Sequence, residues 1–251
     1  MTASSSTTQT PRLLVVQHEP DTGPGWWGGA LVDAGLDLVV CHPYTGEVLP
    51  PPTAYDGMLV LGGAMGPADD EACDWLPATR ALLADSVAVG VPVFGICLGA
   101  ELLAVACGGS VRRGIAGPEL GVLDIELAPS AAEDLVLSGL TAGTRVLQWH
   151  WEEIDTLPPG AVGLASSGPY PHQAFRLGAN AWGVQGHPEV TADIARAWAR
   201  EDAPLLVAAG RRPDDLVGEI VAAEVELRGT WGPVAAAFAT VVRDHAHAGR
   251  T

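Results

Sequence analysis

Four predominantly apolar runs of strand length, broken only by Asp37 and Asp56, constrain this chain more than any other feature: residues 13–16, 36–41, 55–61 and 91–96. A strand with one wet face alternates apolar and polar residues, so a run with no polar face belongs to a strand covered on both sides. Between the runs lie stretches of helical character, from about residue 26 to 34 and from about 74 to 89. Strands alternating with helices predict an α/β fold: a mostly parallel central sheet flanked by helices. Short strand candidates at 121–127, 145–149, 173–177 and 181–185 predict an antiparallel extension of that sheet. Two or three C-terminal helices are expected between residues 191 and 247.

The chain has 251 residues, of which 48% are hydrophobic and 17% charged, enough for one large core. Residues 1–10 are polar and read as a disordered tail, and residues 11–250 as a single domain. The formal charge is −17, and all thirteen basic residues are Arg, with no Lys. Such a balance argues against nucleic acid and anionic membrane as partners. The missing lysine excludes Schiff-base chemistry and a P-loop. The N-terminus lacks the pattern of a signal peptide, and no apolar span reaches membrane length, so a cytoplasmic location is expected. Cys41, Cys73, Cys97 and Cys107 have neither zinc-ligand nor disulfide-framework spacing and read as free thiols. No His, Asp and Glu set has metal-ligand spacing, so neither a metal nor a cofactor is expected.

Cys97 occupies the centre of G-I-C-L-G, between the run at 91–96 and a helical stretch to Ala106 that stops at Gly108-Gly109. A nucleophile on such a strand-to-helix turn needs small residues two places away, because the turn crowds them, and Gly95 and Gly99 fill those places. The helix N-terminus beyond Cys97 is expected to lower the thiol pKa toward neutrality and to aim the Leu98 N–H at a developing oxyanion. The competing reading is a buried cysteine serving only as a small hydrophobe.

A cysteine nucleophile needs a base and a group to orient it, and His187 and Glu189 of G-H-P-E supply both. Alternation over 181–185 reads as a strand, and Pro188 ends it, which puts His187 at the edge where a parallel sheet presents its sites.

Taken together, G-I-C-L-G and, some ninety residues later, Q-G-H-P-E-V resemble the class I (triad) glutamine amidotransferases along nearly the whole chain. The resemblance implies their flavodoxin-like fold and a Cys97–His187–Glu189 triad. It also implies that L-G-G-A-M-G-P at 61–67 is the Gly-rich loop whose backbone N–H, here Gly63, completes the oxyanion hole with Leu98. Gly62, Glu101, Trp149 and His150 become candidate substrate-binding residues, the last two from V-L-Q-W-H-W-E-E-I-D-T-L-P at 146–158. Free-standing members are the nearest likeness, similar to the glutaminase domain of GMP synthetase and to plant γ-glutamyl peptidases, in which Q-A-F-R (173–176) recurs. Two departures stand out. Glu101 replaces the Gln usual four residues after the nucleophile, and Gly186 replaces the Phe of Q-F-H-P-E, which is expected to open space beside the base. Trp149, His150 and Trp151 read equally as pocket wall or core, and Glu19 and Asp21 as solvated.

The implied function is hydrolysis of the γ-amide of glutamine through a γ-glutamyl thioester, releasing glutamate and ammonia for a partner synthase or ligase. The alternative is a free-standing hydrolase of γ-glutamyl peptides or amides, toward which Gly186 and Glu101 lean. A non-catalytic binding relative runs against the complete triad.

Overall fold

The computed structural model describes residues 9–249, so most of the tail expected at 1–10 lies outside the described residues. The first half of the chain runs β1 (Arg12–Val16), α1 (Gly25–Asp33), β2 (Asp37–Cys41), β3 (Gly57–Val60), α2 (Leu76–Val89), β4 (Val93–Ile96) and α3 (Leu98–Ala106). It continues through β5 (Ser110–Arg113), β6 (Glu119–Asp124), β7 (Glu126–Leu127), β8 (Arg145–His150), β9 (Glu152–Thr156), β10 (Ala161–Ser166), β11 (Ala174–Leu177) and β12 (Ala181–Val184). Three helices follow: α4 (Ala192–Glu201), α5 (Ala203–Ala208) and α6 (Pro213–Ala248).

Eight strands form the central sheet in the order β2-β1-β3-β4-β12-β11-β10-β7. The pairings from β2 to β12 are parallel, and those from β12 to β7 antiparallel. The expected extension is therefore present, with different members. Residues 145–149 do not join it: β8 pairs with β6 in a separate two-stranded sheet, and β5 pairs with β9 in another. Only β7, from the tail of the 121–127 candidate, returns to the main sheet.

Continuous apolar runs arise because each strand divides its residues between two covered faces. Leu13 and Val15 pack with Trp27 and Leu31 of α1 and Phe238 of α6, while Leu14 and Val16 pack with Leu82 and Leu83 of α2 and Leu102 of α3. A third cluster joins Leu147 and Trp149 of β8 to Trp198, Leu206, Leu216 and Ile220 of the C-terminal helices. No described helix is long and apolar enough to cross a membrane.

One register fixes the site. Ile96 of β4 is paired in parallel with Val184 of β12. The residues just past those two strand ends, Cys97 and Gln185 to His187, therefore emerge side by side at the carboxyl edge of the sheet, where α/β folds place ligands.

Candidate active site

Cys97 has φ +49° and ψ −111°, the sole non-glycine residue with positive φ among those described. A backbone strained in this way costs on the order of 1–3 kcal/mol and persists only where its surroundings impose it. Here they do. The Cys97 N–H donates to the Val184 carbonyl (2.8 Å), and the Cys97 carbonyl accepts from Glu101 N–H (3.0 Å). Both flanking glycines are required: a Cβ on Gly95 would lie 2.6 Å from the Gly99 carbonyl, and one on Gly99 would lie 2.1 Å from the Val60 oxygen.

His187 is tied to β8 by its N–H, which donates to the Leu147 carbonyl (2.7 Å). Its Nδ1 lies 2.9 Å from Glu189 Oε1, an acceptor that holds the proton on Nδ1 and leaves Nε2 as the basic atom. The imidazole stands edge-on to Trp198 at 4.8 Å between centroids. Glu189 is itself located by backbone, since its carbonyl accepts from Trp26 N–H (3.1 Å). Gly62 sits behind the pair: a Cβ there would meet His187 Cε1 at 2.8 Å and Cys97 Cβ at 3.6 Å. Gly62 thus lets thiol and imidazole approach rather than lining the cavity, as its expected substrate contact would require.

The cavity, of about 200 Å³, opens on Cys97, Gly63, Glu101, His150 and His187. Leu98 N–H points at the Cys97 sulfur, and Gly63 N–H has no hydrogen-bond partner among the described residues. Glu19, expected to be solvated, instead braces this loop by accepting from Ala64 N–H (2.9 Å). His18 lies buried behind Gly63 and accepts from Trp75 Nε1 at its Nδ1 (3.1 Å); burial lowers its pKa to about 4 and keeps it neutral.

Charge at the thiol differs from the sequence expectation. Burial, then the Glu101 and Glu189 carboxylates, push the Cys97 pKa well above its ordinary value, against the smaller opposing pull of the Leu98 N–H. One helix terminus does not outweigh desolvation beside two acids. The resting group is a thiol, and a base must take its proton as it attacks. Glu101 is buried beside it, accepts from Gln185 Nε2 (2.8 Å), and is raised to about 7, chiefly by burial.

Trp149 and His150 are both wall and core. Trp149 is buried, packs edge-on to Trp198 at 5.7 Å and donates from Nε1 to Asp202 (2.9 Å). His150 lies between Glu119 Oε2 (3.1 Å) and the Glu152 carbonyl (2.7 Å). Gly186 opens no space: a Cβ there would strike Val146 Cγ1 at 2.7 Å and the Leu147 carbonyl at 3.0 Å, so β8 fills the gap. The lean toward a larger substrate drawn from that glycine is withdrawn. Sequence reading missed Arg113, Trp198, Glu201 and Asp202 on the cavity wall. Trp198 carried the one available signal, an aromatic residue on a helix directly after the His-Pro-Glu segment.

A family model described as glutamine amidotransferase class-I matches residues 30–198, a span that includes Cys97, His187 and Glu189. Gamma-glutamyl peptidase 4 of Arabidopsis thaliana is 31% identical over 142 residues, 56% of each chain. One subunit of the glutamine-hydrolyzing GMP synthase of Thermococcus kodakarensis is 39% identical over 115 residues, 43% of this chain and 59% of that one. The matches thus span less than two thirds of the length of these curated relatives. The crystal structure of a glutamine amidotransferase from Thermotoga maritima superposes with a TM-score of 0.82 at 27% identity, covering 93% of this chain and 99% of that one.

Proposed function

The chain belongs to the glutamine amidotransferase class-I family, and from that premise we propose that it cleaves the γ-amide bond of glutamine or of a γ-glutamyl amide through a thioester on Cys97. The observation that carries this reading is the strained Cys97 elbow sharing one cavity with His187, whose Nδ1 is held by Glu189.

In the proposed step, His187 Nε2 takes the thiol proton as the sulfur bonds to the γ-carbonyl carbon. The oxyanion is received by Leu98 N–H and the unengaged Gly63 N–H. As the C–N bond breaks, His187 returns the proton to the leaving nitrogen. Water, deprotonated by His187, then attacks the thioester and frees glutamate and the thiol. Glu189 keeps the imidazole in the working tautomer throughout. On the inner wall Glu101 receives the α-ammonium, and at the exposed rim Arg113, which pairs with Glu152 (3.0 Å), suits the α-carboxylate.

The two uses of this chemistry differ in what leaves: ammonia passed to a synthase or ligase partner, as the name of the Thermococcus relative suggests, or a larger amine released to solution. The cavity favours the second, because Trp198, Glu201, Asp202 and Leu205 extend its wall beyond the candidate triad. Glutamate release by the purified chain from L-glutamine and from γ-glutamyl amides, beside Cys97→Ala, tests the reading. Release lost in the variant supports it, and release retained there refutes it.

A further inference from the structure

The outer wall of the cavity is acidic and aromatic. Glu19 and Asp21, from the loop after β1, meet Glu201 and Asp202, from the end of α4, across the Trp149 and Trp198 rings. Elsewhere the chain pairs its arginines with acids, as in Arg145–Glu226, Arg211–Glu219 and Arg112–Glu153. Among the described residues, none of these four carboxylates is ion-paired. Three of them act on the fourth: burial, and then the charges of Asp21, Glu201 and Asp202, raise the Glu19 pKa against the lowering pull of the Ala64 N–H. Assembling like charges without a counter-ion is unfavourable, and a bound cation would relieve it.

The two indoles are fixed in this wall by their N–H groups, Trp149 on Asp202 (2.9 Å) and Trp198 on the Asp21 carbonyl (3.3 Å). Both rings line the cavity among these carboxylates, and an aromatic wall edged with acids is the kind of surface that receives alkylammonium groups. Position supplies the last element. Trp198 touches the His187 ring at one end and reaches Asp21 at the other, so the wall begins at the base and leads outward. The leaving nitrogen must lie beside that base, because His187 protonates it, and its substituent therefore follows this wall.

Resting on the reading of Cys97 as the nucleophile toward a γ-glutamyl carbonyl, we infer that the departing amine carries a second positive charge: the substrate is a γ-glutamyl amide of an alkyl diamine or polyamine. The acyl step is unchanged. The S–C bond forms, the C–N bond breaks, and the thiol proton passes through His187 to the leaving nitrogen, while the distal ammonium stays protonated at this wall.

The test compares kcat/KM of the full chain for γ-glutamyl-1,4-diaminobutane, its neutral near-isostere γ-glutamyl-pentylamide, and γ-glutamyl-4-aminobutyrate. The diamine should exceed the neutral amide by about ten- to a hundredfold, with the anionic amide slowest. The Asp21→Asn/Glu201→Gln variant should shrink the ratio to within about threefold. Neither side chain it changes makes a hydrogen bond among the described residues, so its fold is expected to persist. Cleavage of all three with no preference for the diamine, or a preference unaltered in the variant, overturns the inference and leaves the cysteine-hydrolase reading intact. No cleavage of any of them, nor of glutamine, overturns both.

Discussion

At the scale of single residues, the site is governed by carboxylates around a thiol. Glu101 is the clearest case, since burial holds its carboxyl at about 7 and its nearest charged and titratable neighbours are Cys97, Glu152 and His150. Below that pH Glu101 is neutral; above it, the carboxylate can pair with a substrate α-ammonium. KM for a γ-glutamyl substrate should therefore fall as pH rises through about 7. In Glu101→Gln that step should vanish and KM should be higher by about tenfold at pH 8. A KM-versus-pH profile unchanged in the variant would remove Glu101 from this role. Cys97 shows why residue-scale electrostatics resist sequence reading. Its helix terminus was legible, and the opposing Glu101 and Glu189 were both visible as letters, but their convergence on one buried sulfur is a product of folding.

Among elements, the strand–elbow–helix unit sets the tolerance of the site. The missing Cβ of Gly99 is occupied by the Val60 carbonyl of the neighbouring strand, which is backbone and cannot rotate away. Gly99→Ala should cost about 2–4 kcal/mol in chemical denaturation and displace the thiol, whereas Ala at Gly29, with nothing within 4 Å, should be tolerated. Equal effects at the two positions would mean that crowding at the elbow does not set its tolerance. Much of this scale was readable: β1, β3 and β4 have no polar face because both faces are covered, and G-I-C-L-G declares its own crowding. β5, β9 and β10 were not, since Ser110–Arg113 is mostly polar and the apolar signal of 161–166 is diluted by Gly and Ser. Gly186 misled for a related reason, because the space it leaves is filled by β8, forty residues earlier in the chain.

For the molecule as a whole, the C-terminal helix supports the site from beneath. Phe238 of α6 is buried, packs edge-on to Phe94 of β4 at 5.4 Å and lies 6.3 Å from Trp182 of β12. Those two strands deliver Cys97 and His187. Phe238→Ala should lower stability by about 3–5 kcal/mol, read as a lower midpoint in urea, and should loosen the pairing of thiol and base. A loss under about 1 kcal/mol would mean that α6 is not part of this foundation. The pairing of the first apolar run with this last helix could not be drawn from periodicity alone, nor could the meeting of the loop after β1 with the end of α4 that shapes the cavity mouth. The most direct measurement of thioester chemistry at Cys97 is intact-protein mass spectrometry of an acid-quenched reaction during turnover of a γ-glutamyl amide. A mass increase of one γ-glutamyl group, mapped to Cys97 and absent in Cys97→Ala, is the predicted result. Turnover with no adduct on Cys97, or an adduct on another residue, would contradict it.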